Sequence, residues 1–205
     1  MQDLKLNELE ISAIGEIANI SIGNAATSLS LLVNREVDIS TPLVKIKDND
    51  SQVSVSGGEE LVAYVDYVKG IMGRNMLFAK KDEVKMLADM MMGSDGHGMF
   101  YDMDFSDMHL SAFSELMNQI MGAASTAMGM MLDRLVDIST PEAIELSDGK
   151  QITYDSSKDN RYVEVLFDVV VNNEMQLKII QAYPFILAKA IADVFLIKKG
   201  TMDKN

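Results

Sequence analysis

The chain has 205 residues, 48% of them hydrophobic, so it amounts to one domain or two very small ones with enough apolar material for a buried core. Its formal net charge of −13 repels phosphate backbones and anionic membrane surfaces, which disfavours nucleic-acid binding. The absence of cysteine excludes disulfides, thiolate zinc sites and a cysteine nucleophile.

The first ten residues, MQDLKLNELE, have neither the basic start nor the apolar run of a signal peptide. No apolar stretch approaches the roughly 18 residues that a membrane-spanning helix needs. A cytoplasmic protein is expected. A long helical pattern comes first: Ile11, Ile14, Ala18, Ile22, Ala25, Leu29 and Leu32 recur at three- and four-residue steps. The helix runs into Val37-Asp38-Ile39-Ser40-Thr41, a short β-branched strand ended by Pro42. A polar, turn-rich stretch follows near 48–52, then strand-like runs at 61–68 and 70–79, then a second helix over 80–93. The segment 94–106 is rich in Gly and Asp and reads as a connecting loop.

The pattern then starts again. Residues 12–42 lie over 111–141 without a gap, and fourteen of the thirty-one aligned positions are identical. The identities include Ser12/Ser111, Glu16/Glu115, Asn19/Asn118 and the unbroken VDISTP that ends at Pro42/Pro141. Two helices of similar composition would not also share a strand and its closing proline, so the chain is an internal duplication. In the second copy, Ser106 or Asp107 is placed to cap the helix. Polar residues at 146–151 precede strand-like runs at 162–171 and 174–183, joined through Asn172-Asn173 as a hairpin turn. The closing helix covers 184–199, with Pro184 in its first turn.

Each copy thus reads helix–strand–strand–strand–helix, and the connections are too short for parallel crossovers. The expected fold class is α+β: a pseudo-twofold duplicated unit with a largely antiparallel shared sheet covered by long helices. One domain is expected over 1–205, made of repeats 8–93 and 107–198 joined by the loop 94–106.

At about 100° per residue, Ser12, Glu16 and Asn19 project from one side of the first helix, opposite its apolar stripe. Ser111, Glu115 and Asn118 do the same in the second. A solvated helix side carries Glu and Asn by default, so an unused polar face is one reading. The other is a working face. A carboxamide donates and accepts hydrogen bonds and can orient a water molecule, while a nearby carboxylate anchors a cation. Phosphoryl transfer relies largely on such positioning. With no metal site or phosphate loop of its own, the pair makes sense as parts inserted into an active site that another protein supplies.

Ser-x-x-x-Glu-x-x-Asn followed after 22 residues by Pro closely resembles the signature of the CheC/CheX/FliY phosphatases of bacterial chemotaxis and flagellar systems. It occurs as Ser12-Glu16-Asn19-Pro42 and again as Ser111-Glu115-Asn118-Pro141. The resemblance implies hydrolysis of the aspartyl phosphate on the response regulator CheY. It implies that Asn19 and Asn118 orient the attacking water and that Glu16 and Glu115 pair with a regulator lysine. The magnesium would belong to the regulator, with no cofactor bound by this chain. Two motifs in one chain resemble CheC or the middle domain of FliY, whereas CheX carries one. Possible further partners are a CheD-like protein or flagellar switch proteins, and a non-catalytic scaffold that binds CheY is the alternative. The terminal segments that FliY-type chains add are not expected here, which suggests a FliY-like core or fragment.

Met117 precedes Asn118 where the first copy has Ala18, and a bulky side chain there is expected to hinder docking, favouring Asn19. Seventeen methionines suggest either core positions or an adaptable docking surface. His97 and His109 lack metal-ligand spacing and are expected in a loop and on a helix surface. A glycosidase built on Glu16 and Glu115 is disfavoured by the absence of tryptophan and of any sugar platform.

Overall fold

A computed structural model describes residues 5–47, 60–146, 161–173 and 175–200. The expected turn-rich stretches at 48–52 and 147–151 lie outside them. The first half runs α1 (Glu8–Val33), β1 (Val37–Ile39), β2 (Leu43–Lys47), β3 (Glu60–Lys69), β4 (Gly73–Lys80) and α2 (Lys81–Met91). A short helix α3 (Met99–Asp102) lies in the connecting segment that was expected to be only loop. The second half repeats the order as α4 (Asp107–Leu132), β5 (Asp137–Ile138), β6 (Glu142–Leu146), β7 (Tyr162–Val171), β8 (Met175–Pro184) and α5 (Phe185–Lys198).

Each half therefore carries one strand more than the sequence pattern indicates, the one directly after Pro42 or Pro141. Both short strands of a half lie in line along a single neighbour: β1 and β2 pair with β7, and β5 and β6 pair with β3. The proline breaks the ladder at one point only. The repeated Ser of VDISTP bridges the break. Ser40 donates its N–H to the Asp168 carbonyl, and its hydroxyl accepts from Asp168 N–H; Ser139 does the same with Asp66.

All described strand pairs are antiparallel, in the order β1/β2–β7–β8–β4–β3–β5/β6. The sheet is pseudo-twofold about the β4–β8 pair, where Leu77 lies opposite Gln181. Along β3, Leu61, Ala63, Val65 and Tyr67 face the helices, and the alternate Val62 belongs to a smaller cluster on the opposite face with Phe78 and Tyr162. The hairpin between β7 and β8 turns through Asn172 and Asn173, both at positive φ (55° and 58°).

Helices α1 and α4 pack on each other, and both are flanked across the repeat boundary, α1 by α5 and α4 by α2. Each is 26 residues, roughly 39 Å long. They begin and end alike. Asn7 and Glu10 form a capping box on α1, and Ser106 and His109 form one at the equivalent position of α4. Both helices end on a left-handed residue, Asn34 and Asp133. The acid in the first box is buried and ion-paired with Lys189 of α5. In the second, His109 is buried, not on the helix surface as expected. Its Nδ1 accepts from Ser106 N–H, and its Nε2 lies 2.8 Å from the Phe100 carbonyl. His97 is exposed and packs edge-on against Tyr101. Pro184 ends β8 as the residue before α5, not inside its first turn.

The connecting segment is organised by one side chain. Asp89 of α2 is fully buried and accepts from the backbone N–H groups of Gly96, Gly98 and Phe100. Gly96 adopts φ +98°, and a Cβ on Gly98 would stand 2.2 Å from the Ser94 hydroxyl, so both glycines are needed for the backbone to reach the carboxylate. Burial pushes the Asp89 carboxyl up, but these donors and the Ser94 hydroxyl outweigh it and hold it below its ordinary value.

Asp89→Asn keeps the shape but removes the charge from these hydrogen bonds and should lower the unfolding free energy by about 2 kcal/mol, read by urea denaturation at neutral pH. The lowered carboxyl value makes the contribution of Asp89 complete above its ordinary value of 3.8 and lost progressively below it. Between about pH 4 and pH 2 the wild type should therefore lose stability more steeply than Asp89→Asn, and parallel curves would refute that role.

Candidate active site

The apolar stripe of α1 turns Ile14, Ile17, Ala18, Ile22, Ala25 and Leu29 into the core. Ser12, Glu16 and Asn19 on the opposite side are exposed, as expected, and so are Glu8, Gly23 and Thr27 along the same face. Near the end of α1 the Ser30 hydroxyl accepts from Val37 N–H at 3.1 Å. On α4, Phe113, Leu116, Met117, Ile120 and Met121 are buried, while Ser111, Glu115 and Asn118 are exposed. The structure thus brings Glu and Asn together on one outward face of each long helix, one turn apart.

Among the described residues, neither the Asn19 nor the Asn118 side chain has a hydrogen-bond partner, so both carboxamides are available to a ligand or water. The two carboxylates differ. Both oxygens of Glu16 lie 2.6 Å from Lys199 Nζ, just past the end of α5. Glu115 accepts from Gln119 Nε2 through Oε1 at 2.8 Å, one turn along the same helix. No hydrogen bond or ion pair joins Glu16 to Glu115 among the described residues. Nor does any group of three His, Asp or Glu side chains come together there to hold a metal ion.

The expectation about Met117 is corrected. Its side chain is 1% exposed and lies in the main core, as does Ala18 at 3%. A residue next to Asn on a helix points about 100° away, so the added bulk is absorbed inward by packing and does not stand beside the amide. Other methionines divide: Met90, Met121 and Met128 are buried, whereas Met72, Met99 and Met130 are at least two-thirds exposed. Sequence reasoning missed Lys199 and Gln119. Gln119 follows Glu115 by four residues, a spacing that signals a helix-surface pair. Lys199 lies 183 residues from Glu16, and no local pattern connects them.

The sequence pattern of the CheC-like family matches residues 9–46 and 108–145, two segments in the same register as the internal duplication. The chain is 40% identical over 187 residues to the flagellar motor switch phosphatase FliY of Bacillus subtilis, covering 90% of this chain and 48% of that protein. It therefore spans about half the length of that curated relative. The crystal structure of Thermotoga maritima FliY superimposes with a TM-score of 0.84 at 32% identity, covering 95% of this chain and 100% of that one. The FliM middle domain from H. pylori gives 0.72 at 14% identity, covering 92% of this chain and 99% of that one, a likeness of fold alone. No helix among the described residues is long and apolar enough to cross a membrane. With both repeats matched by the family's pattern, and with 32% identity and a TM-score of 0.84 to a FliY structure covered in full, the chain belongs to the CheC-like family.

Proposed function

We propose that this chain is a phosphatase acting on the aspartyl phosphate of a CheY-type response regulator in the cytoplasm, with Asn19 and Asn118 as its water-orienting groups. The observation that carries this reading is the pair of free carboxamides, each beside a carboxylate on an exposed helix face, in a chain 40% identical to a protein named as a phosphatase.

The chemistry asks little of such a face. The regulator supplies the phosphoryl group, its magnesium ion and a lysine. Glu16 or Glu115 anchors that lysine and sets the helix in register. The neighbouring carboxamide then enters the site, where its carbonyl accepts from the attacking water and aims the oxygen lone pair at phosphorus. The new P–O bond forms as the bond to the aspartyl oxygen breaks. The aspartate returns as a carboxylate, phosphate departs, and the proton of the water leaves with phosphate or solvent. No strong base is required, because the transition state is dominated by positioning and charge stabilisation. CheD-like or flagellar switch proteins are further candidate partners on the same grounds of family.

The test is phosphate release from the phosphorylated regulator. Asn19→Ala with Asn118→Ala should slow it at least about 100-fold while binding persists, the scale at which a lost positioned hydrogen-bonding group is felt. Glu16→Gln with Glu115→Gln should instead act on binding and raise KM about tenfold. Binding without acceleration by the wild type would select a non-catalytic scaffold, and retained turnover in the double Asn variant would overturn the assigned roles.

A further inference from the structure

The two motifs are equivalent in sequence and unequal in structure. At the first, Glu16 is met by Lys199 through both carboxylate oxygens. Lys199 is held for this contact. Its N–H donates to the Phe195 carbonyl at the end of α5, and its ammonium lies 4.8 Å from the centre of the Phe195 ring. At the second motif the partner of Glu115 is the neutral Gln119, which engages Oε1 and leaves Oε2 and the full negative charge available. The position equivalent to Gln119 in the first copy is Ile20, which cannot donate.

The asymmetry follows from the closing helices. α2 has 11 residues and α5 has 14. Counting from Lys81 and Phe185, the residue aligned in sequence with Lys199 is Asp95, which lies beyond the end of the shorter α2. Among the described residues no Lys or Arg pairs with Glu115, whose side-chain partner is Gln119.

We infer that Lys199 is a positioning residue that occupies Glu16 from within the chain, so that the first site is held back and the Glu115–Asn118 site carries most of the turnover. This rests on the proposed function, in which each Glu binds a lysine of the partner. Lys199 is the same ammonium group already in place, and a partner must displace it before docking at Glu16. The second site needs no displacement, and Gln119 fixes its carboxylate with one oxygen still free. An exposed ion pair is weak and screened by salt, so the hold is a bias and not a block.

The experiment uses the full chain in two single-site forms, Asn118→Ala for the first site alone and Asn19→Ala for the second alone. Each is assayed for phosphate release and for binding of the phosphoryl-mimic regulator. At low ionic strength the second-site form should be the faster. Adding Lys199→Met to the first-site form should raise kcat/KM about two- to fivefold through KM, with kcat unchanged, the scale of an exposed pair. Lys199→Arg, which keeps the cation, should leave the first site as it was. The gain should vanish near 0.5 M salt, roughly where charges beyond a few ångströms are screened. Lys199→Met should be silent in the second-site form. An unchanged or lower kcat/KM in the first-site form overturns the inference, as does a first site faster than the second. If the wild type neither binds nor dephosphorylates the regulator, the functional reading itself falls and takes this one with it. Turnover insensitive to Lys199 removes only this one.

Discussion

The exchange of strands across the pseudo-twofold axis is what the rest of the molecule depends on. β7 receives its outer ladder from β1 and β2 of the other half, and β3 receives its own from β5 and β6. Without its neighbour, either half would expose the edge of a ten-residue strand, an open template for misassembly. The long helices follow the same exchange, since each is flanked by the closing helix of the opposite repeat. Duplication therefore produced one interlocked sheet. The helix pair lies over that sheet with its polar face turned outward because the apolar stripe has only one layer to bury into.

That placement explains how a helix surface can serve as a site without a pocket. Asn19 and Asn118 are on the middle turns of rigid helices whose starts are fixed by capping boxes and whose ends are fixed by left-handed residues. Backbone precision comes from the fold, and the side chains remain unpartnered. A group that must enter another protein's active site needs both properties, because an amide tied to its own surface would have to break a hydrogen bond to work.

Much of this was legible in the sequence because it is periodic. The helical stripe, the alternating strands at 61–68 and 162–171, the hairpin at Asn172-Asn173 and the outward face of Glu16 and Asn19 each rest on spacing within a few residues. The duplication was legible because VDISTP survived unbroken. What escaped was of two kinds. β2 and β6 are five residues each and follow a proline, so they read as the start of a loop, and only the ladder supplied by the distant β7 and β3 makes them strands. Burial of His109 and Met117 was misjudged for a related reason. A helix turn shows which residues share a face, but how wide the covered face becomes is decided by the elements packed on it. Here α3 and the 100–105 segment close over the start of α4, through the Phe100 carbonyl and the Phe105 ring stacked on His109.

Many differences between the halves exchange one apolar residue for another, as Ile14 for Phe113, but four change hydrogen bonding or charge. Leu77 is matched by Gln181, Glu10 by His109, Ile20 by Gln119 and Asp95 by Lys199, and each pair exchanges an apolar, acidic or neutral group for one of different hydrogen bonding or charge. Gln181 sits at the axis itself, buried at 2% exposure, where its amide and that of Asn75 both reach Met121 Sδ. The amide oxygens of Gln181 and Asn75 are buried there without a hydrogen-bond partner among the described residues. Backbone positions are thus kept in register by shared ladders, while side chains near the axis and near the two motifs are free to differ. The same frame can hold two copies of one motif and still give them unequal surroundings, and the charge placed beside each Glu is where that freedom bears on function.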